Sequence, residues 1–158
     1  VLSATGLRDI WEGIVIAHQA RLTFTSLWNT VLDEDHDATY PRAVWKEPEQ
    51  NGVVEGRAML DAFVVSIWFE DQHTTERTTD ERDTVHSDMS TVARECFYRF
   101  KSLYIDRITD GLDLRLSGGY TITPFWDRVG TSTTGVVLTF TVIDTIAPCV
   151  TDDTFPIS

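Results

Sequence analysis

Met59–Asp71, read as MLDAFVVSIWFED, is the most regular stretch of this chain. Taken by alternate residues, it places Met59, Phe63, Val65, Ile67 and Phe69 on one side and Ala62, Val64 and Trp68 on the other, the period-two pattern of a β-strand. Both sides are largely apolar. One is expected to cover helices. The other is expected to meet a neighbour, because an exposed apolar strip of that size is a liability on a monomer.

Two helical segments flank this strand. Before it, Leu7, Ile10, Trp11, Ile14 and Ala17, then Phe24, Leu27, Trp28 and Val31, recur at spacings of three and four, which predicts an amphipathic helix over about residues 6–32. The β-branched residues in Arg21-Leu22-Thr23-Phe24-Thr25 weaken helix propensity, and a break into two pieces is expected there. After it, Thr78 and Glu81 have the spacing of a capping box. Val85, Met89, Val92, Cys96, Phe97, Phe100 and Tyr104 then form the clearest helical stripe, which ends before Asp110-Gly111.

The remaining segments are shorter. Asp33-Glu34-Asp35-His36-Asp37 reads as a solvated connection. Tyr40–Glu47 is a strand candidate whose Pro41 places it at a sheet edge or a strand start, and Glu49-Gln50-Asn51-Gly52 reads as a turn. In the last third, Leu112, Leu114 and Leu116, then Tyr120, Ile122 and Phe125, then Val136–Asp144 predict antiparallel strands, with a hairpin tip around Val129–Thr134 and a turn or bulge at Gly118-Gly119. The expectation is one α+β domain over residues 1–158, with a polar tail over about 148–158. Its core is a mainly antiparallel β-sheet packed against two amphipathic helices, in the order α-β-β-α-β-β.

Composition restricts the function classes. The 158 residues include 13 Lys plus Arg against 25 Asp plus Glu, a formal net charge of −12, so phosphate is repelled at long range and ordinary nucleic-acid affinity is disfavoured. The longest nearly apolar stretch, Ala62–Phe69, is far short of the roughly 20 residues that cross a bilayer, so no membrane span is expected. Val1–Gly6 lacks a basic and then apolar leader, so no signal peptide is expected. Cys96 and Cys149 form no CxxC and no disulfide framework, which fits a reducing cytoplasm. Cys96 lies on the apolar stripe and is expected to be a buried thiol.

No chemical motif is complete. Asp33, Asp35 and Asp37 imitate the first ligands of a calcium loop, but Ala38 stands where Gly is needed and Val44 where Glu is needed. His18, His36, His73 and His86 are dispersed and match no zinc spacing. Asp71 and His73 share a face at a strand end, read as a wet terminus rather than a metal or imidazole-orienting site. Gly118-Gly119 leads into a strand and cradles no phosphate, and no GxSxG elbow is present. No metal, cofactor or catalytic residue is therefore expected, and no enzymatic activity. Among the five tryptophans, Trp45 and Trp126 stand near strand ends beside charged neighbours and suit interface anchors. With Val64 and Trp68 they are the candidate interface residues.

A leading helix, the YPRAVW segment, the long strand MLDAFVVSIWFE, a charged loop, the helix TVHSDMSTVARECFYRF and a closing hairpin ending in GVVLTFTVID together resemble the tail terminator, or head-tail completion, proteins of long-tailed bacteriophages. The resemblance is one of order and segment length from about Leu7 to Asp144. The long segment Asp106–Gly119 departs from the most compact version. What the resemblance implies is a virion protein, assembled in the host cytoplasm, that forms a ring, typically a hexamer. Its partners would be copies of itself, the tail-tube protein and the head-tail connector. The ring would cap the tail tube and leave a conduit through which DNA passes without tight binding. An acidic chain suits such a conduit, because acids keep DNA mobile where a basic lining would retain it. Glu76, Asp80, Glu81 and Asp83 are the candidate lumen or partner-facing acids. The alternatives are a stopper with a gating loop, a tube subunit that stacks, or a small α+β pocket enzyme, which a buried His73 or Asp61 would favour.

Overall fold

The computed structural model describes residues 1–26, 40–72, 79–126 and 133–146. It is an α+β arrangement of two helices and a curled mixed sheet. In chain order the elements are α1 (Ala4–Ile16), β1 (Thr23–Ser26), β2 (Arg42–Trp45), β3 (Glu49–Glu55), β4 (Ala58–Gln72), α2 (Thr79–Tyr104), β5 (Ile108–Thr109), β6 (Leu112–Trp126) and β7 (Thr133–Asp144). The helix–strand order therefore differs from α-β-β-α-β-β: among the described residues, four strands lie between the helices and three follow. The sheet runs β1-β2-β4-β7-β6-β5, and β3 pairs with β4 beside β2. All its strand pairings are antiparallel except β1 with β2, which is parallel.

α1 starts where Ser3 accepts a hydrogen bond from the Gly6 amide at 3.0 Å, which satisfies one of the free N–H groups of the first turn. It stops at Ile16, not near residue 32. Arg21 adopts a left-handed φ of 55°, which reverses the chain, and Thr23-Phe24-Thr25 then extend as β1 against Arg42–Val44. The β-branched residues that weaken the helix here favour a strand once β2 offers a partner. Trp28 and the Asp33–Asp37 cluster lie outside the described residues.

Pro41 directly precedes β2, and β2 lies between β1 and β4 rather than at an edge. The segment Glu49–Gly52 is not a turn. It is the first half of β3, and the reversal falls at Gly56-Arg57, where Gly56 takes a φ of 60° that suits glycine. β4 covers the whole predicted strand, from Ala58 to Gln72. α2 fulfils the helical stripe; Thr78, the predicted cap, lies outside the described residues. Gly118-Gly119 falls where the β6–β7 register shifts, between Leu116 and Tyr120, and Gly118 has a φ of 77°. It is a bulge inside one long strand. Thr133 and Thr134, placed by the sequence pattern in a hairpin tip, belong to β7.

Both helices pack on one face of the sheet. Phe63, Val65, Ile67 and Phe69 of β4 are fully buried there with Trp11 of α1 and Phe97 and Phe100 of α2. The Trp11 ring lies 5.1 Å from Phe100 and 5.3 Å from Phe140 of β7, centroid to centroid. Asp144 ends β7 on this face and is fully buried, its two oxygens accepting the Leu2 amide at 2.7 Å and the Ile146 amide at 3.1 Å. Cys96 is buried and free, as its place on the stripe predicts.

The opposite face carries a small second cluster of Leu60, Ala62 and Ile143, with Val53 and Ala58 against it. Here the sheet curls enough for Arg115, at the start of β6, to pair with Glu55, at the end of β3. Three strand spacings separate β6 from β3 in a flat sheet, about 14 Å, which no salt bridge spans.

Candidate functional site

The residues singled out in the sequence fall in three different places. Val64 and Trp68 stand on the helix-free face of β4, opposite Thr141 and Val137 of β7 respectively. Both are half-buried, as is Val137. This strip is neither sealed within the protomer nor fully exposed. Further along the same face, Arg42 and Glu70 are directly cross-strand partners and form a buried ion pair, with Arg42 Nε 2.6 Å from Glu70 Oε1. Thr133 donates to Glu70 Oε2 at 3.2 Å, and the Arg42 guanidinium lies over the Tyr40 ring at 4.8 Å. Sequence reasoning missed this pair, because 28 residues separate its members and only the β2–β4 register brings them together.

Trp45 is not an interface anchor. It is fully buried, and Phe24 of β1 lies 6.2 Å from it. Its place opposite Ile67, between β1 and β4, puts its indole on the helix-covered side of the sheet, so charged neighbours in sequence say nothing of its surroundings in space.

Trp126 does reach the surface, with 46% of its area exposed. His86 of α2 meets it edge-on at 4.2 Å and Arg82 lies 5.4 Å from its ring. His86 Nε2 stands 2.8 Å from the Phe125 carbonyl oxygen, so that nitrogen carries a proton and donates. The first turns of α2 thus clamp the end of β6. Asp80, Glu81 and Asp83 are exposed on those same turns, where the helix N-terminus favours negative charge. The structure therefore gathers Trp126 and three of the four candidate acids at one end of the molecule. The fourth, Glu76, lies outside the described residues, as do His73, His36 and Cys149.

A cavity of about 660 Å³ runs between α1 and α2, with Ile10, Ile14 and Tyr104 among its apolar lining. At its polar end the Ala20 amide donates to His18 Nδ1 at 3.0 Å, and His18 Nε2 lies 2.6 Å from Glu95 Oε2. Because Nδ1 accepts, the ring is the Nε2–H tautomer and donates to the carboxylate. Both ring nitrogens are engaged, and the pair ties the end of α1 to α2 rather than presenting a free base. Cys96 also borders the cavity, but burial first and the nearby Glu95 charge second push its thiol up to about 12, so it holds its proton and is a poor nucleophile at neutral pH. Asp61, the other acid considered for an enzyme, is half-buried near the β3–β4 hairpin, opposite Asp144 and Gly52.

The β3–β4 hairpin itself was not singled out. It carries Val54 and Met59 side by side on the helix-covered face, yet 70% and 63% exposed, because the hairpin extends past the helices. Alternation in Met59–Asp71 showed the face but could not show where the helices end. At the β6 margin of the sheet, on the same helix-covered face, Tyr98 of α2, 53% exposed, has its hydroxyl held above the ordinary tyrosine value, first by its hydrogen bond with Tyr120 of β6.

With this geometry in hand, comparison with known proteins adds no assignment: no protein-family model matches the chain, and no curated protein matches it. No helix among the described residues is long and apolar enough to cross a membrane.

Proposed function

We propose that this chain is a structural ring protein of the phage tail terminator kind, which caps a tail tube in the virion and joins it to the head connector. The observation that carries the reading is the sheet face away from both described helices, where Trp68 and Val137 stand half-buried as cross-strand neighbours and Val64, also half-buried, lies beyond the Ser66–Thr139 pair, with no helix among the described residues over them. A strip of this kind is completed by a neighbouring molecule. The net charge of −12 supports a role beside DNA without tight binding. The cavity between α1 and α2 holds a histidine with both nitrogens engaged and a protonated buried thiol, so these two groups offer no ready acid–base pair.

Native mass spectrometry over a wide concentration range tests this reading. A closed ring, on the order of six subunits, is the expected result, because cyclic closure is the natural outcome of a heterologous contact with the right rotation. Open-ended stacks would identify a tube subunit instead. A monomer at every concentration would remove the argument for self-assembly and turn attention to the cavity between the helices.

Within the same reading, Asp80, Glu81 and Asp83, with Glu76, face the conduit or the adjoining ring. Replacing all four by Lys is expected to slow DNA ejection or prevent head–tail joining in reconstituted particles. Unchanged infectivity of those particles would remove these acids from the conduit.

A further inference from the structure

Besides the short β1 and β5, the sheet has two longer strand edges with no strand partner among the described residues, one at each lateral margin; the margins approach each other only at the end where Glu55 and Arg115 pair. On one side β3 pairs with β4 along one edge only, and no described strand meets its other edge from Glu49 to Glu55. On the other side β5 covers β6 only at Leu112 and Asp113, which leaves the outer edge of Leu116–Trp126 without a strand partner among the described residues. Protein surfaces ordinarily protect such edges with charge, proline or a covering element. Between its terminal glutamates β3 reads QNGVV, with neither charge nor proline, and β6 reads LSGGYTITPFW, whose Pro124 is its one protected position and which carries no charge.

We infer that these two edges are halves of one interface, in which β3 of one copy adds to β6 of the next and continues the sheet from subunit to subunit. Strand polarity supports the pairing. β3 is antiparallel to β4, β4 to β7 and β7 to β6, so β3 and β6 run in opposite directions. A second copy placed in the same orientation therefore presents an antiparallel partner, the pairing in which backbone hydrogen bonds lie perpendicular to the strands.

The faces also match. Val54 and Met59 lie on the helix-covered face, since Met59 alternates with Phe63 and Val65. Tyr120 and Ile122 lie on that face of β6, with Tyr98 of α2 beside them; the Tyr98 and Tyr120 rings are 6.4 Å apart. In a continued sheet the exposed Val54 and Met59 of one copy come to rest on the Tyr98–Tyr120 shelf of the next. β1 and β2 occupy the rest of the β3 side, so the paired stretch is β3 alone. The contact uses different surfaces on the two subunits and can repeat until it closes.

The inference rests on the ring reading in taking the partner to be a second copy, and its test separates the two. Oligomer size is measured by native mass spectrometry for the unaltered chain and for Val54→Lys with Met59→Lys. Both residues are exposed, and circular dichroism verifies that the fold is kept. The concentration for half-assembly is expected to rise at least ten-fold. In a Cys149→Ser background, Val54→Cys with Tyr98→Cys is treated with a short bismaleimide and is expected to give a covalent ladder of subunits; the buried Cys96 stays unlabelled. A ring that persists unchanged in the lysine variant and yields no ladder overturns the edge pairing and leaves the ring reading standing. An unaltered chain that is monomeric throughout and yields no ladder overturns both.

Discussion

Glu70 has no exposed surface, and its carboxylate meets Arg42 and Thr133 inside the protein. Removing one member of a buried ion pair strands the other in a medium that solvates it poorly, at a cost of about 3–5 kcal/mol, whereas replacing both members by apolar residues of similar size is often neutral. Glu70→Ala is therefore expected to lower the urea midpoint sharply, and Arg42→Met combined with Glu70→Leu to restore most of it. Cys96 gives a second prediction at this scale. Its folded thiol ionises near 12 against an ordinary 9.0, so the unfolded chain loses its proton first as pH rises. The stability this contributes is complete below pH 9 and is lost between 9 and 12, at up to about 1.4 kcal/mol per pH unit. Denaturation of the native chain and of Cys96→Ala should diverge in that window and run parallel below it. Trp45 shows the limit of reading residues singly. Lys46 and Glu47 suggested a surface site, but strand register placed the indole in the core.

At the scale of elements, β4 and α2 were legible because each repeats its own period over a long stretch, two for the strand and about 3.6 for the helix. β3 was not legible. Nearly all of it is exposed on both faces, so it has no apolar alternation, and Asn51-Gly52 carries turn chemistry without making the turn. β1 was hidden for a different reason. Phe24 falls in phase with the preceding helix, and only the parallel pairing with β2 reveals a strand. The β4–β7 pair makes a demand visible only in three dimensions. Gly135 lies opposite Glu70, and a Cβ there would collide with the Phe69 carbonyl oxygen and come within 2.8 Å of Glu70 Cα. Both obstacles are backbone and cannot rotate away. Gly135→Ala is expected to cost about 1–3 kcal/mol, in the range of overpacked sites, read as a fall in urea midpoint; Gly13→Ala, with open space around its Cβ, should be neutral or stabilising.

At the scale of the whole molecule, charge and shape act in opposite directions. Each copy carries −12, so on the proposed reading subunits brought together would repel one another, while the uncharged middle of β3, the uncharged edge of β6 and the strip around Trp68 would favour contact. Raising the salt from about 0.01 M to about 0.1 M shortens the screening length from roughly 30 Å to roughly 10 Å. On the proposed reading, subunit association should therefore strengthen over that range. Weakening with salt, followed by sedimentation, would instead indicate subunits held by ion pairs. The sequence alone determined that the chain is acidic, that it joins two amphipathic helices to long apolar strands, and which residues of β4 and α2 turn toward each other. These depend on composition and on periods that repeat within one segment. Tertiary structure alone decided the parallel β1–β2 pair, the burial of Trp45, the Arg42–Glu70 and His18–Glu95 pairs, and the outer edges of β3 and β6 that no described strand covers. Those depend on contacts between residues far apart in the chain, and on where one element ends relative to another, for which no local period exists.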